Sequence, residues 1–124
     1  MTRKLGLILA TAGLLASAGY VLAQQSGPNG GLVAGAGHHK TELIISPTDL
    51  AVYLLEDGKP HGSKGVTMRA VIQQGGKTTT LNLADLDGKK LGTKLSAPIE
   101  KGAIIVLTGK DDHGHQLNAR YVIK

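Results

Sequence analysis

From Thr41 onward, apolar and polar residues alternate in short runs separated by clusters of turn-forming residues. Alternation with period two marks a strand with one buried face. "TELIIS" (41–46) is the first such run. "SPTD" follows, a turn with Pro in its second position, where type I turns prefer it. "LAVYLLE" (50–56) precedes the Gly- and Pro-containing loop "DGKPHGSKG". In "VTMRAVIQ" (66–73), Val66, Met68, Ala70 and Ile72 face one way, and Thr67, Arg69 and Gln73 the other. "QGGK" predicts a tight hairpin, because glycine accepts the positive φ such turns require. "TTTLNL" (78–83) alternates again, with Leu81 and Leu83 inward. "ADLDGKK" turns the chain, and a weaker strand is expected in "KLGTKLSA" (90–97). "APIEKG" leads to "AIIVLT" (103–108), a continuous apolar run suited to a central strand. "QLNARYVIK" (116–124) closes the series, with Leu117, Ala119, Tyr121 and Ile123 inward.

No helical stripe is present in this part of the chain. Short strands at turn spacing predict an all-β domain, an immunoglobulin-like β-sandwich of about seven antiparallel strands. The Cys and Trp marks of antibody domains are missing. The expected core is aliphatic: Leu43, Ile45, Val52, Leu54, Met68, Ile72, Leu81, Leu83, Ile104, Val106, Leu117, Tyr121 and Ile123. Each such side chain contributes roughly 1.5–3 kcal/mol when fully buried.

The first 23 residues follow another pattern. Arg3 and Lys4 precede Leu5–Leu22, which is uncharged and rich in Leu, Ala and Gly, and Val21-Leu22-Ala23 fits a small-residue cleavage site. This is the layout of a secretory signal peptide. The expected division is a signal peptide over 1–23, a flexible lead-in over 24–37 with "GLVAG" as a candidate edge strand, and the β-sandwich over 38–124. A periplasmic or secreted protein cleaved after Ala23 is implied, with no membrane attachment after cleavage. Losing Arg3 and Lys4 from 14 basic residues leaves 12 against nine acidic ones. The remaining lysines are spread out, and beyond residue 23 only Tyr53 and Tyr121 are aromatic, so stacking platforms for nucleic acid are lacking. The absence of cysteine excludes thiol catalysis, iron–sulfur clusters and Cys-ligated zinc modules.

Candidate chemistry is sparse. "GGKTTT" looks like the end of a phosphate-binding loop, but Val71 stands where its first glycine belongs, and strands flank it. Ser63 lies two residues from His61, yet no nucleophile elbow is present. No catalytic residues and no enzymatic activity are expected. The histidines remain: His38, His39, His61, His113 and His115. Neutral imidazole is the commonest metal ligand and suits zinc, copper(II) and nickel, so the five form a candidate metal-ligating set. Such binding weakens below about pH 6, where imidazole protonates. Counting reversals of an antiparallel chain brings all five to one end of the domain, with Asp57, Asp85, Asp87, Asp111 and Asp112. The count needs "KLGTKLSA" to be a strand; otherwise His113 and His115 move to the opposite end. The plainer reading is that polar residues belong in loops, and that "GKDDHGHQ" (109–116) is first of all a hairpin turn.

Two stretches, "NGGLVAGAGHHKTELIISPTDLAVYLLEDGKPHGSKG" and "AVIQQGGKTTTLNL", resemble a group of small exported bacterial domains. Their pattern runs His-Gly-Gly, a short apolar strand, Ala-Gly, a His-containing step into Glu-Leu-Val-Val, then Asp-Gly-Lys-Pro with Lys-Gly soon after. Such domains are immunoglobulin-like and occur alone in the periplasm or on periplasmic adaptors of heavy-metal efflux pumps. The resemblance implies periplasmic work near transition metals. His39 and Glu42 match the His-to-Glu-Leu step, and Asn29 stands where the pattern has histidine. His61, His113 and His115 fall outside it.

The expectation is therefore a non-enzymatic periplasmic accessory or binding module in transition-metal handling or efflux. Its expected partners are a zinc, copper(II) or nickel ion and an envelope or efflux-pump protein, and not nucleic acid. The alternative is an envelope protein-interaction module with no metal role.

Overall fold

The computed structural model describes residues 25–36 and 39–124. His38 and the expected signal peptide lie outside the described residues. The strands are β1 (Gln25–Ser26), β2 (Leu32–Ala36), β3 (His39–Ile45), β4 (Asp49–Glu56), β5 (Lys59–His61), β6 (Thr67–Gln74), β7 (Lys77–Leu86), β8 (Lys90–Lys94), β9 (Ile104–Lys110) and β10 (Gln116–Val122). No described segment is a helix long and apolar enough to cross a membrane.

The fold is all-β, as the alternation predicts. The seven expected runs correspond to β3, β4 and β6–β10. The stretch read as a lead-in forms β1 and β2, and β5 arises inside the loop before Val66. Asp57-Gly58, Gly75-Gly76 and Asp87-Gly88 all have positive φ at both residues. These are the type I′ hairpin positions that Asp-Gly and Gly-Gly favour.

Two separate hydrogen-bonded sheets are not what the pairing draws. The strand order is β1-β2-β3-β4-β8-β7-β6-β9-β10, with β5 added to β4, in one antiparallel sheet curled into a half-barrel. The cause lies in β7. Its Lys77–Leu83 portion pairs with β6, and its Ala84–Leu86 portion pairs with β8. One long strand thus carries pairing from one half of the molecule to the other.

The curl brings β10 back against β2 and β3. Fully buried Tyr121 ties this seam: its hydroxyl donates to Thr41 O at 2.7 Å, with Thr41 Oγ1 also at 2.7 Å. Burial pushes this phenol well above the usual tyrosine range, so it keeps its proton. The core between the halves includes Leu43, Leu50, Val52, Met68, Ala70, Leu91, Ile105, Leu107 and Tyr121. In β9 the phase differs from expectation. Ile105 and Leu107 are fully buried, while Ile104 and Val106 are half-buried on the other face. A run apolar at every position carries no phase of its own; pairing with Ile72 and Ala70 on β6 sets it.

A second polar structure anchors the start of the sheet. The β1–β2 turn closes with Gly27 N to Gly31 O at 2.9 Å and Gly30 N to Gly27 O at 3.0 Å. Glu42, fully buried on β3, accepts from Asn29 N (2.8 Å) and Gly31 N (2.7 Å) through Oε2, and from Asn29 Nδ2 (3.0 Å) through Oε1. A Cβ at Gly27 would lie 2.4 Å from the Glu42 carboxyl carbon, so a side chain there must displace the carboxylate from its place.

Candidate metal centre

The β9–β10 turn is built from "DDHGH" (111–115). Asp111 N donates to His115 O at 3.0 Å, and Gly114 N to Asp111 O at 3.1 Å, with Gly114 at φ +85°. This is a type I turn followed by a left-handed residue, a common three-residue hairpin connection. Asp111 holds it from inside. Its Oδ1 accepts from His113 N (2.9 Å) and His115 N (2.7 Å), and its Oδ2 lies 3.0 Å from His115 Nδ1. Burial alone would raise this carboxyl, which is only 9% exposed. The two amides and the imidazole outweigh burial and hold it down to about 2. An ionised carboxylate can only accept, so His115 Nδ1 carries the hydrogen, and it is Nε2 that the neutral ring offers as a lone pair.

His39 reaches the same place from the other half of the sheet. On β3, Leu43 and Thr41 are buried toward the interior, and His39 continues their row to the rim. Its ring centroid is 5.4 Å from that of His115. His39, Asp111 and His115 each offer a donor atom within 4.8 Å of the others. Donors about 2.0–2.2 Å from one ion can be no more than roughly 4.4 Å apart. A small inward swing of the half-exposed His39 and the exposed His115 rings would meet that limit.

The remaining expected ligands are placed differently. His61 is paired with Leu54 on β4. Its Nδ1 lies 2.9 Å from Gly62 O and its Nε2 3.4 Å from Glu56 Oε1. His113 is not in the group of converging donors; its Nε2 lies 3.8 Å from Asp112 and its ring 6.2 Å from that of His115. His38 lies outside the described residues. β8 is formed, and the 111–115 turn does share its end with His39. Asp85 has another partner: it accepts from the hydroxyl of fully buried Ser63 and from Gly88 N. Ser63 therefore faces Asp85, while the His61 ring is turned to Gly62 and Glu56.

The sequence marks Asp111 both as a turn former and as one of the aspartates at the end that carries the histidines, and marks Glu56 only as the last residue of a strand. The signal for Glu56 was the turn at Pro47, which fixes the β3–β4 register and sets His39 opposite Glu56. Comparison with known proteins adds no relative: no family model, curated protein or solved structure matches this chain.

Proposed function

We propose that this protein is a non-enzymatic, exported module that binds a transition-metal ion in the bacterial envelope, in the service of metal handling or efflux. The observation that carries the reading is the meeting of His39 and His115, from opposite ends of the folded chain, beside the ionised Asp111. Two imidazoles and a carboxylate suit zinc, copper(II) or nickel; copper(I) prefers sulfur, and Met68 is buried in the core. The exported location rests on the pattern of residues 1–23, and the efflux context on the resemblance described above. We read the half-barrel as an opened immunoglobulin-like domain, its two halves facing across one aliphatic core. Of the residues that match the resembling pattern, Glu42 binds the Asn29–Gly31 turn and supports the fold, while His39 stands at the rim.

Isothermal titration of the chain lacking residues 1–23 with zinc and copper(II) tests this. Micromolar or tighter affinity is expected, lowered at least tenfold by His39→Ala and by His115→Ala. Millimolar affinity, or variants that bind like the unaltered protein, would overturn the reading.

One observation favours a second reading, an envelope interaction module. A groove of about 510 Å³ on the outer face of β6, β7, β9 and β10 is lined by Arg69, Lys110, Thr67, Thr108, Asn82 and Gln116, without an acidic side chain. Partner capture lost in Arg69→Glu with Lys110→Glu, and indifferent to chelator, would favour it.

A further inference from the structure

A small cavity of about 10 Å³ lies at this rim, with His39, Glu56, His61 and Asp111 among its lining residues. That is about the space one water-sized particle occupies. Its walls come from both halves of the curled sheet: His39, Glu56 and His61 from β3–β5, and Asp111 from the end of β9. Glu56 stands directly opposite His39 in the β3–β4 register, where cross-strand Cβ atoms lie about 4.5–5.5 Å apart.

His61 is set up as a ligand in its own right. A carbonyl oxygen can only accept, so the 2.9 Å contact with Gly62 O places the hydrogen on Nδ1. The Nε2 lone pair then faces Glu56 Oε1 at 3.4 Å. A cation between or beside these two atoms satisfies both: a proton on Nε2, or a metal ion in its place. His115 repeats the device, its Nδ1 bonded to Asp111 and its Nε2 available. An imidazole whose second nitrogen is fixed by a carbonyl or carboxylate is the usual condition of a metal-bound histidine.

Resting on the metal-binding reading above, we propose that Glu56 and His61 are the other half of the site. Glu56 and His61 stand outside the group of donors within 4.8 Å of one another, so their side chains swing in as the ion is bound at the mouth of this cavity, joining the donors from His39 and the β9–β10 turn. Asp111 orients the His115 ring through Nδ1, so His39 and His115 supply two donors, and Glu56 with His61 bring them to the four of a closed zinc-type shell. Closure also latches the β9–β10 hairpin to the β4–β5 ribbon, across the open end of the half-barrel.

The test is a nitrogen-detected imidazole spectrum of the protein titrated with zinc, together with zinc affinities of Glu56→Gln and His61→Ala. We expect the Nε2 resonances of His61 and His115 to shift on binding while those of His113 stay in place. Each substitution should weaken zinc at least tenfold. Glu56 is exposed and His61 only half-buried at the rim, so the metal-free variants should melt close to the unaltered protein. If a variant fails to fold, the His61 resonance in the unaltered protein decides the matter. Zinc binding that shifts His39 and His115 but not His61, with both variants within twofold of the original affinity, would overturn the four-donor site and leave the proposed function standing. Absence of any zinc binding would remove both.

Discussion

The turns at 27–31 and 111–115 have the same backbone plan and opposite consequences. In each, the first amide bonds the fifth carbonyl, and a glycine in fourth place returns its amide to the first carbonyl. In each, one carboxylate oxygen gathers the amides of the third and fifth residues. At 111–115 the carboxylate is the turn's own Asp111. At 27–31 it is Glu42, reaching in from β3, and residue 27 is a glycine because the Glu42 carboxyl occupies the space a side chain would need. The fifth residue differs as well. A Cβ at Gly31 would meet Leu43 O at 2.5 Å, whereas His115 projects its ring outward beside His39. The anion imported from β3 is spent on anchoring an edge. The anion supplied locally keeps one oxygen for an imidazole at the open rim. The first turn is structural, and the second has chemistry to spare.

Removing the anchor should have the largest effect. Glu42→Ala leaves two amides of the first turn without their acceptor in a buried setting, at a cost of about 3 kcal/mol. Chemical denaturation should show that loss, while zinc affinity of the still-folded protein changes less than twofold. Gly27→Ala forces a methyl group into the same carboxylate and should cost about 2 kcal/mol, read the same way. If either variant lost zinc while keeping its stability, the division between the two turns would fail.

Asp111→Ala should differ in kind: two amides again lose their acceptor, so stability falls, and here zinc affinity falls with it, at least tenfold. The pH response sharpens the same point. The Asp111 carboxyl is held down to about 2 in the folded protein, below the roughly 3.9 of a free aspartate. Its stabilisation is thus complete above about pH 4 and is lost as pH falls toward 2. The amide resonances of His113 and His115 should titrate with a midpoint near 2; a midpoint near 4 would mean that the amides do not hold the carboxylate. The smallest effect belongs to His113→Ala, whose ring faces Asp112. Zinc affinity should stay within twofold, and a tenfold loss would redraw the site.

Much of this was legible in the chain. In "QLNARYVIK" strict alternation gives the buried face, and Leu117, Ala119 and Tyr121 are buried as it predicts. The weak run "KLGTKLSA" forms β8, and that single reversal puts the 111–115 turn at the end where β3 begins. "AIIVL" offers no alternation, so its inward residues emerged only from pairing with β6. The continuous sheet was hidden because nothing in "TTTLNLADL" says that one strand serves two neighbours. The role of Glu42 was hidden too: its partner Asn29 is 13 residues away across a strand, and a carboxylate in an apolar strand advertises burial without naming the donors.

The central claim is that one metal ion joins the two halves of the sheet through His39 and His115. A crystal structure of the protein grown with zinc, with the ion placed by its anomalous signal, tests it most directly. The account predicts one ion at the rim, about 2.1 Å from a nitrogen of each ring. Zinc bound elsewhere on the protein, or an ordered rim whose two imidazoles share no ion at saturating zinc, would contradict it.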